Sequence, residues 1–98
     1  QALLADSKAD VYAARCMVMD AARRRDDGLP VSTEASCAKM FASEMCGRVA
    51  DRAVQVFGGA GYLRGAKVER IYRETKVMSI GGGSVEIMKD LAARQIGL

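Results

Sequence analysis

Between residues 4 and 21 the apolar and small positions Leu4, Ser7, Val11, Ala14, Val18 and Ala21 recur at intervals of three and four, tracing one face of an α-helix. Tyr12, Cys16 and Met19 form a second stripe beside it, so this helix is expected to be contacted on two sides. It should stop at Asp27-Gly28, where glycine accepts the left-handed cap and Pro30 blocks continuation. Ser32 is placed to cap the next helix, and Glu34 puts negative charge where the helix dipole favours it. Ala38, Ala42, Met45, Val49, Ala53 and Val56 then make a stripe whose small residues predict close helix-to-helix approach. Gly58-Gly59 ends that helix. GGAGYLRG leads to a shorter third helix with Val68, Ile71, Tyr72 and Thr75 on one face, which the triplet Gly81-Gly82-Gly83 breaks. Ser84 opens the last helix, with Ile87, Leu91 and Ala92 inward and Lys89, Asp90 and Arg94 largely outward. No strand-like alternation is sustained, so the pattern predicts an all-α antiparallel bundle of about four helices, one domain over residues 1–98.

Composition narrows the chemistry. A chain of 98 residues, 50% hydrophobic and with one proline, can hold one modest core. Histidine is absent, which removes the usual general base and the Ser/His and Cys/His nucleophile pairs. The three cysteines, Cys16, Cys37 and Cys46, are an odd set without CxxC spacing; they favour buried reduced thiols over a disulfide framework or a zinc site. The net charge of +3 is mild, and Arg23, Arg24 and Arg25 are followed at once by Asp26 and Asp27. Arginines at a helix C-terminus are explained by the macrodipole, so nucleic acid is not an expected partner. QALLADSKAD lacks a signal-peptide layout and no apolar run is long enough to span a membrane, which predicts a cytoplasmic protein. Helical periodicity is already under way at Gln1 without a start signal, as in a piece of a longer protein.

Two glycine-rich stretches invite functional readings. GGAGYLRG approaches the dinucleotide fingerprint GxGxxG, but its last glycine is one place late and it follows a helix instead of a strand. Gly58-Gly59 is explained by a helix C-cap; Gln55, one turn earlier, adds an amide that with bare glycine backbone could hold part of a nucleotide. IGGGSVEI is either a hinge or an anion site built on the free amides of the helix that Ser84 starts. Tyr62 and Tyr72 read as core or interface residues before stacking platforms, and the methionines as core filler.

QVFGGAGYLRG, followed by VERIYRETKVMSIGGGSVEIMKDLAARQIGL, resembles the C-terminal end of the acyl-CoA dehydrogenase family. The family pattern runs Q-[IV]-x-G-G-x-G-Y, then V-E-R-x-x-R-D-A-K-[IV], then I-Y-E-G-T-S-E-I. The upstream EASCAKMFASEMCGRVADRAVQVFGG resembles the long helix before the first motif, so the likeness extends over essentially the whole chain but only over the family's last helices. It implies a flavoprotein that desaturates acyl-CoA thioesters, with FAD as cofactor, acyl-CoA as substrate, an electron-transfer flavoprotein as partner and a homo-oligomer, tetramer or dimer. By position, Gln55, Gly58 and Gly59 match the segment contacting the ADP part of an FAD bound mainly by a neighbouring subunit. Ser84 and Glu86 match the T-S-E segment against the subunit's own flavin nucleotide, and Gly83 the glycine near the substrate thioester. Arg73-Glu74 replaces the family's Arg-Asp, with a structural ion pair or cap as its implied role. Lys67 stands where proline is common, at the start of the third helix.

One departure bears on catalysis. Gly82 falls where many members carry the glutamate that removes the substrate α-proton, and glycine has no group to accept one. Some branches use a carboxylate from an earlier helix, which here would lie before Gln1. The resemblance thus implies FAD-binding and interface surfaces without a catalytic residue, and an isolated chain that is inactive. The alternative is a non-catalytic helical assembly module or pseudoenzyme subunit, which Gly82 favours and the retained Gln55, Gly58, Gly59, Ser84 and Glu86 oppose.

Overall fold

The computed structural model describes residues 1–98. Helix α1 spans Ala2–Asp26, α2 Ser32–Phe57, α3 is a single turn over Gly59–Tyr62, α4 spans Lys67–Thr75 and runs into a 3-10 turn at Lys76–Ser79, and α5 spans Val85–Gln95. There is no strand, and the architecture is all-α as the periodicity predicts. Four helices carry the bundle, and α3 is a short addition inside the expected connection.

Helices α1 and α2 lie side by side as an antiparallel hairpin, and their cross-links show the direction. Asp10 of α1 meets Arg52 at 2.6 Å and Arg48 at 3.4 Å, while Arg24, nearer the turn, reaches Glu34 at 3.5 Å. The Asp10 carboxyl is held below the ordinary carboxylate range, first by the hydrogen bond from Arg52 and then by that from Arg48. Arg48 also stands over the Phe41 ring at 5.6 Å from its centroid.

Helix α2 is the hub, with α1, α3, α4, α5 and the 3-10 turn all packed on it. Ser36, Ser43 and Ala50 are buried at seven-residue steps, and so are Ala38 and Met45. At 3.6 residues per turn the two sets lie about 200° apart. The second set therefore faces α1, the side from which Arg52 reaches Asp10. The first faces the 3-10 turn, where Ser43 donates to the Met78 carbonyl at 2.8 Å. A helix buried on opposite sides needs small residues on both, and the buried apolar set is mostly alanine: Ala14, Ala38, Ala50 and Ala92, with Met45 and Val85.

Most large apolar side chains remain outside this core. Ile87 is 60% exposed and Leu91 40%, against the inward placement expected for both; Val85 and Ala92 are what α5 buries. The small face of α5 can approach α2 closely, and Ile87 and Leu91, four residues apart, then form a separate apolar ridge. On α1 the stripe of Tyr12, Cys16 and Met19 is exposed, and so are Leu4, Val11 and Val18 of the first stripe; the covered face runs through Ser7, Asp10, Ala14, Met17 and Ala21, of which only Ala14 is fully buried. Val56 is exposed too. Cys37 and Cys46 are half-buried and Cys16 exposed, which corrects the expectation of buried thiols; all three are free. Tyr62, 81% exposed, and Tyr72 are not core residues, and of the methionines Met45 is buried while Met19 and Met78 are exposed.

The helix ends follow local rules with one exception. Gly28 takes φ +74 just after α1, and the last turn of α1 carries Arg23, Arg24 and Arg25. Ser32, expected as a cap, is instead the first residue of α2, and its side chain makes no capping bond. Val31 already holds the non-helical φ of −128°, and its carbonyl accepts from Ala35 at 2.8 Å, so the first turn closes one residue earlier. Lys67 begins α4 with Ala66 at the cap. Arg73 does form an ion pair, at 3.3 Å, but with Glu69 one turn back and not with the adjacent Glu74.

Candidate functional site

The glycine triplet reaches its shape between two fixed points. Upstream, Ile80 and Gly81 amides donate to the Val77 carbonyl at 3.1 and 2.7 Å, closing the 3-10 turn. Downstream, the Ile87 amide donates to Ser84 Oγ at 3.2 Å, so Ser84 caps α5 as the sequence predicts. Gly82 and Gly83 lie between, at φ +71° and +117°, a region that L-residues rarely enter. A Cβ at Gly83 would also come within 2.5 Å of the Met88 methyl, and one at Gly82 would stand 3.9 Å from Lys39 Cε.

Beside this loop a groove of about 950 Å³ opens between α2, α4 and the start of α5. Ser84, Val85 and Glu86 line it from α5, Tyr72 and Arg73 from α4, and Lys76 and Ser79 from the 3-10 turn. The α2 wall includes Ser43, Gly47, Arg48 and Asp51. The groove thus joins an aromatic ring and several cations to a half-buried hydroxyl. The Ser84 oxygen uses one lone pair on the cap, which leaves its O–H able to donate to a ligand.

The anion-site reading of the α5 N-terminus is weakened by its own residues. One of the three free first-turn amides is already used, Ile87 on Ser84 Oγ, which leaves those of Val85 and Glu86. Glu86 adds a carboxylate in the same turn, which repels phosphate there. Across the groove Lys76, which pairs with no carboxylate, is better placed to meet negative charge; Arg73 is engaged with Glu69, and Glu44 and Asp51 add further carboxylates to the lining.

Gln55, Gly58 and Gly59 do not join this groove. Gly58 is the C-cap of α2 at φ +63°, its amide shared between the Val54 and Gln55 carbonyls at 3.0 and 3.2 Å. The Gln55 side chain is exposed and makes no hydrogen bond within the chain. Nothing lies within 4 Å of a Cβ position at either glycine, so their backbone is bare surface that a flat group can approach. The chain therefore presents two separate surfaces: Ser84 and Glu86 in the groove, and Gln55 with Gly58 and Gly59 at the end of α2. Gly83 sits on the loop beside the groove and outside its lining, as does Gly82.

Several residues of this region escaped the sequence reading. Ser43 and Gly47 belong to the small face of α2, which a search for apolar stripes passes over. Gly61 is buried, and a Cβ there would lie 2.8 Å from Phe57 Cβ and 3.0 Å from the Val54 carbonyl, so it is the glycine of GGAGY that close packing requires. Lys39 donates to Ser43 Oγ at 3.1 Å and to the Met78 carbonyl, joining α2 to the turn before the loop.

The family described as acyl-CoA dehydrogenase, C-terminal domain, matches residues 1–97. Among curated relatives, a probable acyl-CoA dehydrogenase of Bacillus subtilis is 44% identical over 93 residues, covering 95% of this chain and 24% of that protein. A subunit of the caffeyl-CoA reductase-Etf complex of Acetobacterium woodii is 38% identical over 87 residues, covering 89% of this chain and 23% of that protein. The solved structure of butyryl-CoA dehydrogenase from Megasphaera elsdenii superposes with a TM-score of 0.92 at 36% identity, over 96% of this chain and 24% of the other. The chain thus spans about a quarter of the length of the relatives it matches. With the helical order, the capped α5 and the match from end to end, the chain belongs to the acyl-CoA dehydrogenase family, as its C-terminal domain.

Proposed function

We propose that residues 1–98 are one structural unit of a longer FAD-dependent acyl-CoA dehydrogenase and that they supply parts of two flavin sites and an oligomer interface. The observation that carries this reading is the groove beside the glycine loop, which gathers Ser84 and Glu86 with Tyr72, Arg73 and Lys76 in a chain matching the family over residues 1–97. Its volume suits part of a dinucleotide, and its lining offers what such a group needs: a hydroxyl donor, an aromatic edge and the unpaired cation of Lys76 for a phosphate oxygen. FAD bound there would supply the two-electron acceptor for hydride leaving the substrate β-carbon.

Within that site Ser84 Oγ donates to the cofactor while its lone pair keeps α5 capped, and Glu86 accepts from a sugar hydroxyl. Gln55, with Gly58 and Gly59, faces the ADP portion of a cofactor held mainly by a neighbouring subunit; their absence from the groove's lining supports this division. Gly83 keeps the backbone beside the thioester free of a side chain. No residue of this chain takes the α-proton. Gly82 cannot; Glu34, Glu44 and Glu69 are engaged with Arg24, Lys89 and Arg73, Glu74 lies outside the groove's lining, and Glu86 is given to the sugar hydroxyl. A carboxylate from the part of the protein preceding Gln1 serves instead.

The exposed apolar ridges on α1 and α5 support a homo-oligomer, and the match to an Etf-complex subunit supports an electron-transferring flavoprotein as electron acceptor. No helix is long and apolar enough to cross a membrane. Three free thiols, one of them exposed, fit a reducing compartment such as the cytoplasm. Flavin content of the full-length protein tests the reading. Gln55→Ala should weaken FAD retention roughly fivefold, the effect of one lost hydrogen bond, with the fold unchanged. Retention equal to wild type would remove Gln55 from the site, and a full-length protein that takes up no flavin would leave the assembly-module alternative.

A further inference from the structure

The loop that faces the proposed acyl site has almost no grip of its own. Three consecutive glycines carry no side chain to pack, and two of them occupy positive φ. Downstream the loop is fixed by the Ser84 cap. Upstream the only side-chain hydrogen bonds that tie it to another helix converge on the Met78 carbonyl. Lys39 Nζ donates to that oxygen and to Ser43 Oγ at 3.1 Å, and Ser43 Oγ donates to the same oxygen at 2.8 Å. Ser43 is buried, Lys39 half-buried, and Lys39 pairs with no carboxylate. The aliphatic stem of Lys39 lies under the loop, with Cε 3.9 Å from a Cβ position at Gly82.

We propose that Lys39 and Ser43 are positioning residues, a two-donor clamp on the Met78 carbonyl that sets the pose of Gly81-Gly82-Gly83 against the acyl thioester. This rests on the acyl-CoA dehydrogenase reading above. A cation suits the task because a charge-assisted bond to a carbonyl outlasts a neutral one when the chain it holds is glycine-rich. Met78 is two residues before Ile80, inside the turn that the Ile80 and Gly81 amides close on the Val77 carbonyl, so the position of its carbonyl bears on where the glycine stretch begins. A displacement of about 1 Å at a reacting centre costs up to a hundredfold in rate.

The test uses the full-length, FAD-loaded protein. Lys39→Met keeps the stem and removes the donors, Ser43→Ala removes one donor, and Lys39→Arg restores a cation. The clamp predicts that Lys39→Met retains flavin and thermal stability close to wild type, while kcat/KM for acyl-CoA falls roughly ten- to hundredfold. Ser43→Ala should lie between, and Lys39→Arg should recover most of the loss. Hydrogen exchange should rise in the peptide covering residues 79–84 and stay unchanged in α1. Wild-type kcat/KM in Lys39→Met overturns the proposal, as does a loss of fold or flavin that accompanies the loss of activity in both Lys39→Met and Ser43→Ala. If the wild-type protein desaturates no acyl-CoA, the enzyme reading fails, and the exchange comparison alone then decides the clamp.

Discussion

Gly61 shows how a single missing methyl can organise a corner of this bundle. Its Cβ would enter the space of Phe57 Cβ and the Val54 carbonyl, both on the last turns of α2 and neither able to swing aside as a flexible side-chain end can. Gly61→Ala should therefore destabilise the protein by about 1–3 kcal/mol through overpacking, seen as a lower thermal midpoint. Gly59→Ala, with open space at its Cβ, should change it little. GGAGY reveals that glycine matters here without telling which one is steric, because contact with Val54 and Phe57 exists only after the chain turns back. Asp10 gives the pH-dependent counterpart. Arg52 and then Arg48 hold its carboxyl below its ordinary value of 3.8. The pair therefore contributes stability that is complete above that value and is lost as pH falls through the lower folded value. The thermal midpoint of Asp10→Asn should lie below wild type at neutral pH, and the difference should close as both are acidified below pH 3.8. A gap that persists unchanged into strong acid would assign the loss to something other than the ion pair.

Helix starts show where reading by residue type succeeds and where it stops. Ser32 and Ser84 both precede an acidic residue by two positions, yet only Ser84 caps. Ser84 has the extended backbone a cap needs, φ −64° and ψ 160°, and it follows two glycines at positive φ. After Pro30, Val31 takes the cap position and Ser32 is drawn into the helix. The type of residue was legible in the sequence; the arrival direction of the chain was not. The same holds for α2, whose stripe of Ala38 and Met45 was visible as apolar spacing. Its opposite buried face, Ser36, Ser43 and Ala50, is small and partly polar, and it becomes buried because the 3-10 turn brings a carbonyl to Ser43. Of the site, Ser84 and Glu86 were found through a motif and meet in the groove, whereas Lys39 and Ser43 belong to no motif. Ser84→Ala should cost about 1 kcal/mol; faster hydrogen exchange confined to the first turn of α5 checks it, and unchanged exchange there would mean the cap contributes nothing.

For the whole molecule, the main physical fact is how little of the apolar surface is covered. The buried set is mostly small residues, with Met45 and Val85 the larger members, and Leu4, Tyr12, Val18, Ile87 and Leu98 remain exposed. A bundle packed through alanine and serine is thin, extending 46 by 24 by 23 Å, and its outer apolar ridges have no cover within the chain. That distribution suits a domain which completes its sites against other parts of a larger assembly, in keeping with a chain spanning about a quarter of its relatives. Apolar stripes could be traced along each helix in the sequence, but which ridge meets α2 and which stays outside is decided by helix approach, as Ile87 and Leu91, expected inward and found exposed, show. The central claim is that the intact protein is a flavin-dependent acyl-CoA dehydrogenase. It is tested most directly by titrating the purified full-length protein with acyl-CoA thioesters without oxygen and following its visible absorbance. The account predicts an oxidised-flavin spectrum that bleaches on addition of a suitable acyl-CoA, with an enoyl-CoA formed; a full-length protein without flavin, or a flavin that no acyl-CoA bleaches, would contradict it.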